Sequence, residues 1–409
     1  MILLYYLLIH LLYAVILAAS PFNIKARMWV TGRFGWRKKL KNWNHGGDEV
    51  IWIHAASLGE FEQGRPLIEA IKMRSPSRKI LLTFFSPSGY EIRKNYPAAD
   101  LVLYLPLDTP YNARFFISRI RPVATFFIKY EFWYFFLKSL HDRHYPVYLI
   151  SGIFRPNQVY FSWYGFWPRK TLYFFEHFFL QDEPSSRLLF TINLKNTTVC
   201  GDTRFDRVAA LVAVSKEIDL AARFSAGKFC LVAGSTWPPD EQILTDLINR
   251  AGNNEKFILA PHEISREHLS RITSLLTCSY VFYSDASADN VTDRQVLIID
   301  NIGMLSSLYR YGQLAYIGGG FGAGIHNILE AAAYGIPVIF GPNYQKFREA
   351  NELIHAGGAF AVRNYSELYQ VINSLKPQSS QYHQASTCAG DYVRRNTGAT
   401  SVIFNHVFP

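Results

Sequence analysis

From residue 50 onward, short apolar runs alternate with amphipathic stretches. Each run is β-branched or aromatic enough to read as a buried parallel strand, because strands covered on both faces lose the in–out alternation of half-exposed ones. EVIWIHAAS, KILLTFF, LVLYLPL, VATFFIK and YPVYLIS form a first set, separated by helical segments such as 62–74 and 111–121. FCLVAGS, KFILAPH, QVLIIDN, QLAYIGGG and IPVIFGP form a second set, after an interval near 207–226. Strands alternating with helices predict doubly wound α/β sheets. Two such sheets in series predict two Rossmann-like domains with a ligand cleft between them. We expect the first over 21–212 and the second over 213–409.

The first nineteen residues, MILLYYLLIHLLYAVILAA, break this pattern by carrying no Asp, Glu, Lys or Arg. As a helix they would reach about 28 Å, enough to cross the hydrocarbon core. The basic start and well-formed small-x-small site of a cleaved signal peptide are missing. Lys25, Arg27, Arg33, Arg37, Lys38, Lys39 and Lys41 follow, and no acid occurs before Asp48. Residues 1–20 are therefore expected to be a transmembrane anchor with that flank in the cytoplasm, against anionic headgroups. A second irregularity is the stretch 154–179, FRPNQVYFSWYGFWPRKTLYFFEHFF, where aromatics sit beside Arg155, Arg169 and Lys170. It suits either a membrane interface or a domain core.

Composition adds little to the fold but narrows the partners. With 409 residues and 49% apolar content the chain exceeds one ordinary core. Lys and Arg outnumber Asp and Glu by 42 to 32, an excess suited to an anionic partner. It sits beside the hydrophobic segment and no nucleic-acid motif accompanies it, so nucleic acid is not expected. Cys200, Cys230, Cys278 and Cys388 have neither metal-knuckle spacing nor a disulfide framework, which fits a reducing compartment. Walker, nucleophile-elbow and His-Glu-x-x-His motifs are absent.

Candidate chemistry lies at strand ends. In IHAASLGEFEQ a strand turns directly into a helix whose first turn carries Glu60. Such turns usually offer backbone N–H groups to a phosphate. An acid there is favoured by the helix dipole, which would also lower its pKa. In AGSTWPPDE, Ser235 and Thr236 precede a helix opened by Pro238 and Pro239, either a phosphate site or an ordinary capped helix. IGGGFGAGIHNILEAAAYGIPVIFGP is more specific: glycines that let a ligand approach, then a helix expected to start near His326 and Asn327 with Glu330 one turn on. Glu330 would accept from ribose hydroxyls, and APHE adds Pro261 and His262 to the same rim.

Taken in order, HAASLGE, SPSGYE, LPLDTP, KYEFW, SGIFRPN, GDTRFD, AGSTWPPDE, APHE and the glycine-loop segment resemble the Kdo (3-deoxy-manno-octulosonic acid) transferases of lipid A biosynthesis. The resemblance covers nearly the whole chain after an N-terminal anchor. It implies a GT-B glycosyltransferase whose domains face across a cleft, an inverting transfer from CMP-Kdo to the lipid A precursor, and no cofactor or divalent metal. Localisation would be the inner membrane, catalytic domains inside. It implies Glu60 as general base, Glu131 and Arg155 on the acceptor side, and Arg204, Ser235, Thr236, Pro261, His262, Gly319, His326, Asn327 and Glu330 on the donor side. Two segments depart from the family pattern: the glycine loop has Gly320 where serine is usual, Ile325 before His326 in place of glycine and one residue fewer between, and KYEFWYF lacks the acidic Glu-x-Glu version, leaving only Glu131. The alternatives are a membrane-associated transferase using a UDP-sugar and a noncatalytic lipid-binding protein.

Overall fold

A computed structural model describes residues 1–252 and 254–409. Two units divide the chain: Met1–Arg207 with Thr397–Pro409, and Val208–Asn396. The second unit thus begins five residues earlier than the sequence suggests and ends before the C-terminus. The last helix, Ala399–Val407, returns to the first unit because Ile403 and Phe404 fill that unit's core. Asp206 fixes its start by accepting from the backbone N–H groups of Gly398 and Thr400.

The first sheet has seven strands: β1 Val50–Ala55, β2 Lys79–Phe84, β3 Leu101–Tyr104, β4 Ala124–Ile128, β5 Val147–Gly152, β6 His177–Leu180 and β7 Thr197–Val199. They pair in parallel in the order β3-β2-β1-β4-β5-β6-β7. Alternate residues of β1 serve opposite faces, as a pleated strand requires. Val50 and Trp52 join one apolar cluster, Ile51, Ile53 and Ala55 the other. Because β2 and β4 flank β1 and the chain departs in both directions, the order reverses between β1 and β4. The carboxyl ends at such a switch point are where α/β sheets bind ligands.

The second sheet comprises β8 Phe229–Thr236, β9 Glu255–Pro261, β10 Tyr280–Phe282, β11 Val296–Ile298, β12 Leu314–Ile317, β13 Val338–Phe340 and β14 Ala359–Ala361. Its parallel order is β10-β11-β9-β8-β12-β13-β14, with the reversal between β8 and β12.

The stretch 154–179 is divided between core and surface. Phe154, Phe175, Phe178 and Phe179 are buried, and β6 itself lies in this run. Trp163, Tyr164 and Phe166 are exposed. Ile2–Ala19 is a single helix, long and apolar enough to cross a membrane by length and composition. It also makes contacts with the first unit that bear on its orientation.

Candidate active site

In the first unit, the turn after β1 is capped by Ser57, whose hydroxyl accepts from Glu60 N, and the helix Leu58–Arg74 follows at once. The Glu60 side chain folds back so that Oε2 accepts from Ala56 N–H at 2.5 Å. Its pKa is pushed up to about 7, first by burial and then by the charge of Glu131, against the lowering effects of the Ala56 N–H and Lys129. The dipole argument from sequence pointed down. Desolvation and a like charge outweigh it here.

Glu131 follows β4, across the switch point from Glu60. Between them the β1 residue His54, fully buried, is held by Thr83 Oγ1 at 2.9 Å and reaches Glu131 Oε2 at 3.3 Å. Trp133 Nε1–H donates to the same Glu131 oxygen at 2.6 Å. Lys129, at φ 63°, makes the reversal after β4 that brings Glu131 over the sheet end. A carboxylate tuned near neutrality beside a second, fixed carboxylate is suited to proton transfer.

Two other predicted residues also belong to the first unit. Arg204 donates from Nε to Asp202 Oδ2 at 2.8 Å, and Asp202 also holds Gln63. Arg155 is exposed beyond β5, and its charge reaches Tyr130.

In the second unit, β8 ends with Ser235 in the left-handed region at φ 54°. Thr236 is buried and its hydroxyl is committed to Glu241 at 3.2 Å. The glycines after β12 pass close to this turn. A Cβ on Gly318 would lie 2.2 Å from the Ser235 carbonyl, and one on Gly320 2.5 Å from the Gly341 backbone. Gly319 takes φ 91°, and its N–H donates to Asp240 Oδ2 at 2.8 Å. Asp240 also accepts from Trp237 N–H and from the Tyr316 hydroxyl. One buried carboxylate therefore ties the helix Pro238–Arg250 to the glycine loop.

Pro261 ends β9 in a buried position, and His262 beyond it is exposed. Trp237, His262 and His326 stack, with ring centroids 4.5 Å apart for the first pair and 4.6 Å for the second. Trp237 Nε1–H donates to His326 Nε2 at 2.9 Å. Burial, then the neighbouring His262, lowers the His326 pKa, so the ring is kept neutral and able to accept. His326 and Asn327 are not helical, contrary to the sequence reading. His326 N–H is drawn back to the Gly318 carbonyl at 3.2 Å, and the helix runs only Leu329–Ala332. Asn327 caps it through Leu329 N–H and donates to Glu330 Oε1 at 3.0 Å.

The structure thus gathers Glu60 with Glu131, and separately Ser235, Thr236, Pro261, His262, Gly319, His326, Asn327 and Glu330. Sequence reasoning missed His54, Trp237 and Asp240. His54 is an imidazole set inside the apolar run of β1. Asp240 stands at the third position of a helix start, where a capping acid is expected.

Residues 30–207 match the family model described as 3-Deoxy-D-manno-octulosonic-acid transferase (kdotransferase). A 3-deoxy-D-manno-octulosonic acid transferase of Aquifex aeolicus is 28% identical over 85% of this chain and 90% of its own length. That of Rickettsia prowazekii is 26% identical over 80% and 72%. Among solved structures, UDP-GlcNAc 2-epimerase from Neisseria meningitidis superposes with a TM-score of 0.62 at 16% identity, covering 87% of this chain and 98% of the other. Acinetobacter baumannii MurG gives 0.55 at 9%, covering 88% and 99%. At those identities the structural likeness speaks to fold, and the fold is GT-B.

Proposed function

The chain belongs to the 3-deoxy-D-manno-octulosonic acid (Kdo) transferase family, and we propose that it transfers Kdo from CMP-Kdo to the lipid A precursor, lipid IVA, with inversion. The observation that carries this reading is Glu60, a half-buried carboxylate at the first sheet's switch point with its pKa raised to about 7. The acceptor hydroxyl oxygen bonds to the anomeric carbon as the bond from that carbon to the CMP phosphate oxygen breaks. Glu60 takes the hydroxyl proton, and CMP leaves with the electron pair. A base whose pKa lies near the working pH is ionised often enough to act and basic enough to be useful.

In the second unit, Ser235 Oγ, the backbone N–H groups of the glycine loop and His262 meet the charge on the leaving phosphate. Glu330 takes the ribose hydroxyls. Arg204 and Arg155 add positive charge toward two anionic substrates, and Glu131 tunes the base. We propose that no divalent metal is needed, because these donors serve the phosphate. Residues 1–20 and the basic flank attach the protein to the cytoplasmic face of the inner membrane.

The test is mass analysis of lipid IVA incubated with CMP-Kdo and purified protein, with and without a chelator. A gain of one or more Kdo units with release of CMP, unaffected by the chelator, is expected. Transfer from a UDP-sugar instead, or lipid binding with no gain in mass, would replace this reading with one of the two alternatives.

A further inference from the structure

The helix Ile2–Ala19 has two faces. Tyr5, Tyr6, Ile9, Tyr13 and Ile16 recur at helical spacing and are turned toward protein, whereas Leu3, Leu4, Leu7, Leu8, Leu11 and Val15 are between 51% and 70% exposed. The inward stripe is held near both of its ends. Toward the N-terminus the Tyr5 hydroxyl donates to Asp108 Oδ2 at 2.6 Å, and its ring packs against Tyr134, Phe135 and Trp167 at 5.6 to 6.0 Å. Farther along, Tyr13 packs on Trp29. Trp29 in turn lies under the guanidinium of Arg33, which is buried and donates to the Leu105 and Phe85 carbonyls. The helix therefore runs along the first unit instead of standing away from it.

That geometry conflicts with a helix crossing the bilayer. With the basic flank in the cytoplasm, a perpendicular helix would carry Tyr5 about 21 Å inward from Ala19. Everything fastened to Tyr5 would follow. Asp108 is hydrogen-bonded to it, and a cavity of about 160 Å³ next to Ile2 is lined by Arg114, Lys138, Asp142 and Arg143. Charged side chains at such depth are strongly disfavoured.

We propose that Ile2–Ala19 lies in the plane of the cytoplasmic leaflet, its leucine face among the acyl chains of anionic phospholipids, and does not cross. Both ends of the helix carry interfacial residues. Beyond the C-terminal end, Phe22, Ile24 and Phe34 are exposed among Lys25, Arg27 and Lys38. Beside the N-terminal end, exposed Trp163, Tyr164 and Phe166 adjoin Trp167, which packs on Tyr5. Amphipathic helices with aromatic and basic neighbours settle at the headgroup boundary.

This inference rests on the proposed membrane attachment, and the experiment separates the two. A protease-cleavable tag is placed before Met1 of the full chain, expressed in Gram-negative cells. The chain is expected in the membrane fraction, with the tag removed by protease added to inverted inner-membrane vesicles and intact when protease is added to spheroplasts. Cleavage in spheroplasts would overturn the in-plane arrangement and leave attachment standing. Recovery in the soluble fraction, with two copies covering each other's leucine faces, would overturn both.

Discussion

In the first unit the crevice beyond β1 and β4 carries two carboxylates, Glu60 and Glu131, around a buried histidine. In the second the corresponding crevice, beyond β8 and β12, carries glycines, a left-handed serine and three stacked rings. The topology at the two places is the same kind of reversal, so the difference lies in what the strand ends present. A helix start backed by a short polar side chain and its own N–H groups can receive a phosphate. The first unit fills that position with Glu60, which occupies the Ala56 N–H itself. A carboxylate there stands where an anion would otherwise be received.

If that carboxylate is the proton acceptor, replacing it should give the largest effect. Glu60→Gln keeps the Ala56 contact but cannot take a proton, so kcat should fall by about 10²–10⁴ while the Michaelis constant for CMP-Kdo stays near the parent value. A parent-like kcat would end the comparison, because Glu60 would then be a structural acid. A smaller effect is expected on the other side. Asp240→Ala removes the acceptor that holds Gly319 N–H and Trp237 N–H. Losing such charge-assisted bonds costs about 1.5–3 kcal/mol, read as a rise of roughly ten- to a hundredfold in the Michaelis constant for CMP-Kdo. If kcat dropped with no change in that constant, the glycine loop would not be the donor's seat.

The two crevices were unequally legible. The central strands announce themselves as unbroken apolar runs. β7, β10 and β14 have three residues each at sheet edges, and periodicity needs more length than that. β6 is hidden inside an aromatic stretch that reads equally well as helix or interface. The glycine segment was visible as a close-packed loop, yet the helix after it was expected to start too early. ILEAAA has high helix propensity, and the return of His326 N–H to Gly318 together with the Asn327 cap on Leu329 N–H holds the start back to Leu329. Glu60 was visible by position while its pKa was misread. The helix dipole is local and can be seen in the sequence, whereas burial and the approach of Glu131 from β4 are tertiary. The final helix belongs to the first unit because of Ile403 and Phe404, and nothing in chain order says which core they enter.

That misreading suggests a finer test. Removing the Glu131 charge takes away the second-largest cause of the elevated Glu60 pKa. In the parent, kcat/KM should rise with pH through about 7 as Glu60 loses its proton. In Glu131→Gln that limb should move to lower pH, toward the ordinary carboxylate range, since the ionised form no longer meets a like charge. A limb left in place would mean that burial alone sets the pKa. The Glu131–Trp133 contact would then serve shape and not electrostatics.

The smallest effect concerns stability and has the opposite sign to the activity. Glu60 has a folded pKa of about 7 against an ordinary value of 4.5. The folded state therefore favours the protonated form. Its contribution is fully present below the ordinary value and is lost as pH rises through 7. At pH 8 the parent carries a half-buried charge that Glu60→Gln lacks, so the inactive variant should melt a few degrees higher there. The two proteins should converge as pH falls toward 4. Asp240→Ala removes a carboxylate held by donors on three sides and should lower the melting temperature even at pH 8. Strain kept at a working site is commonly released by the substitution that ends its function, and here the release should appear only where Glu60 is ionised.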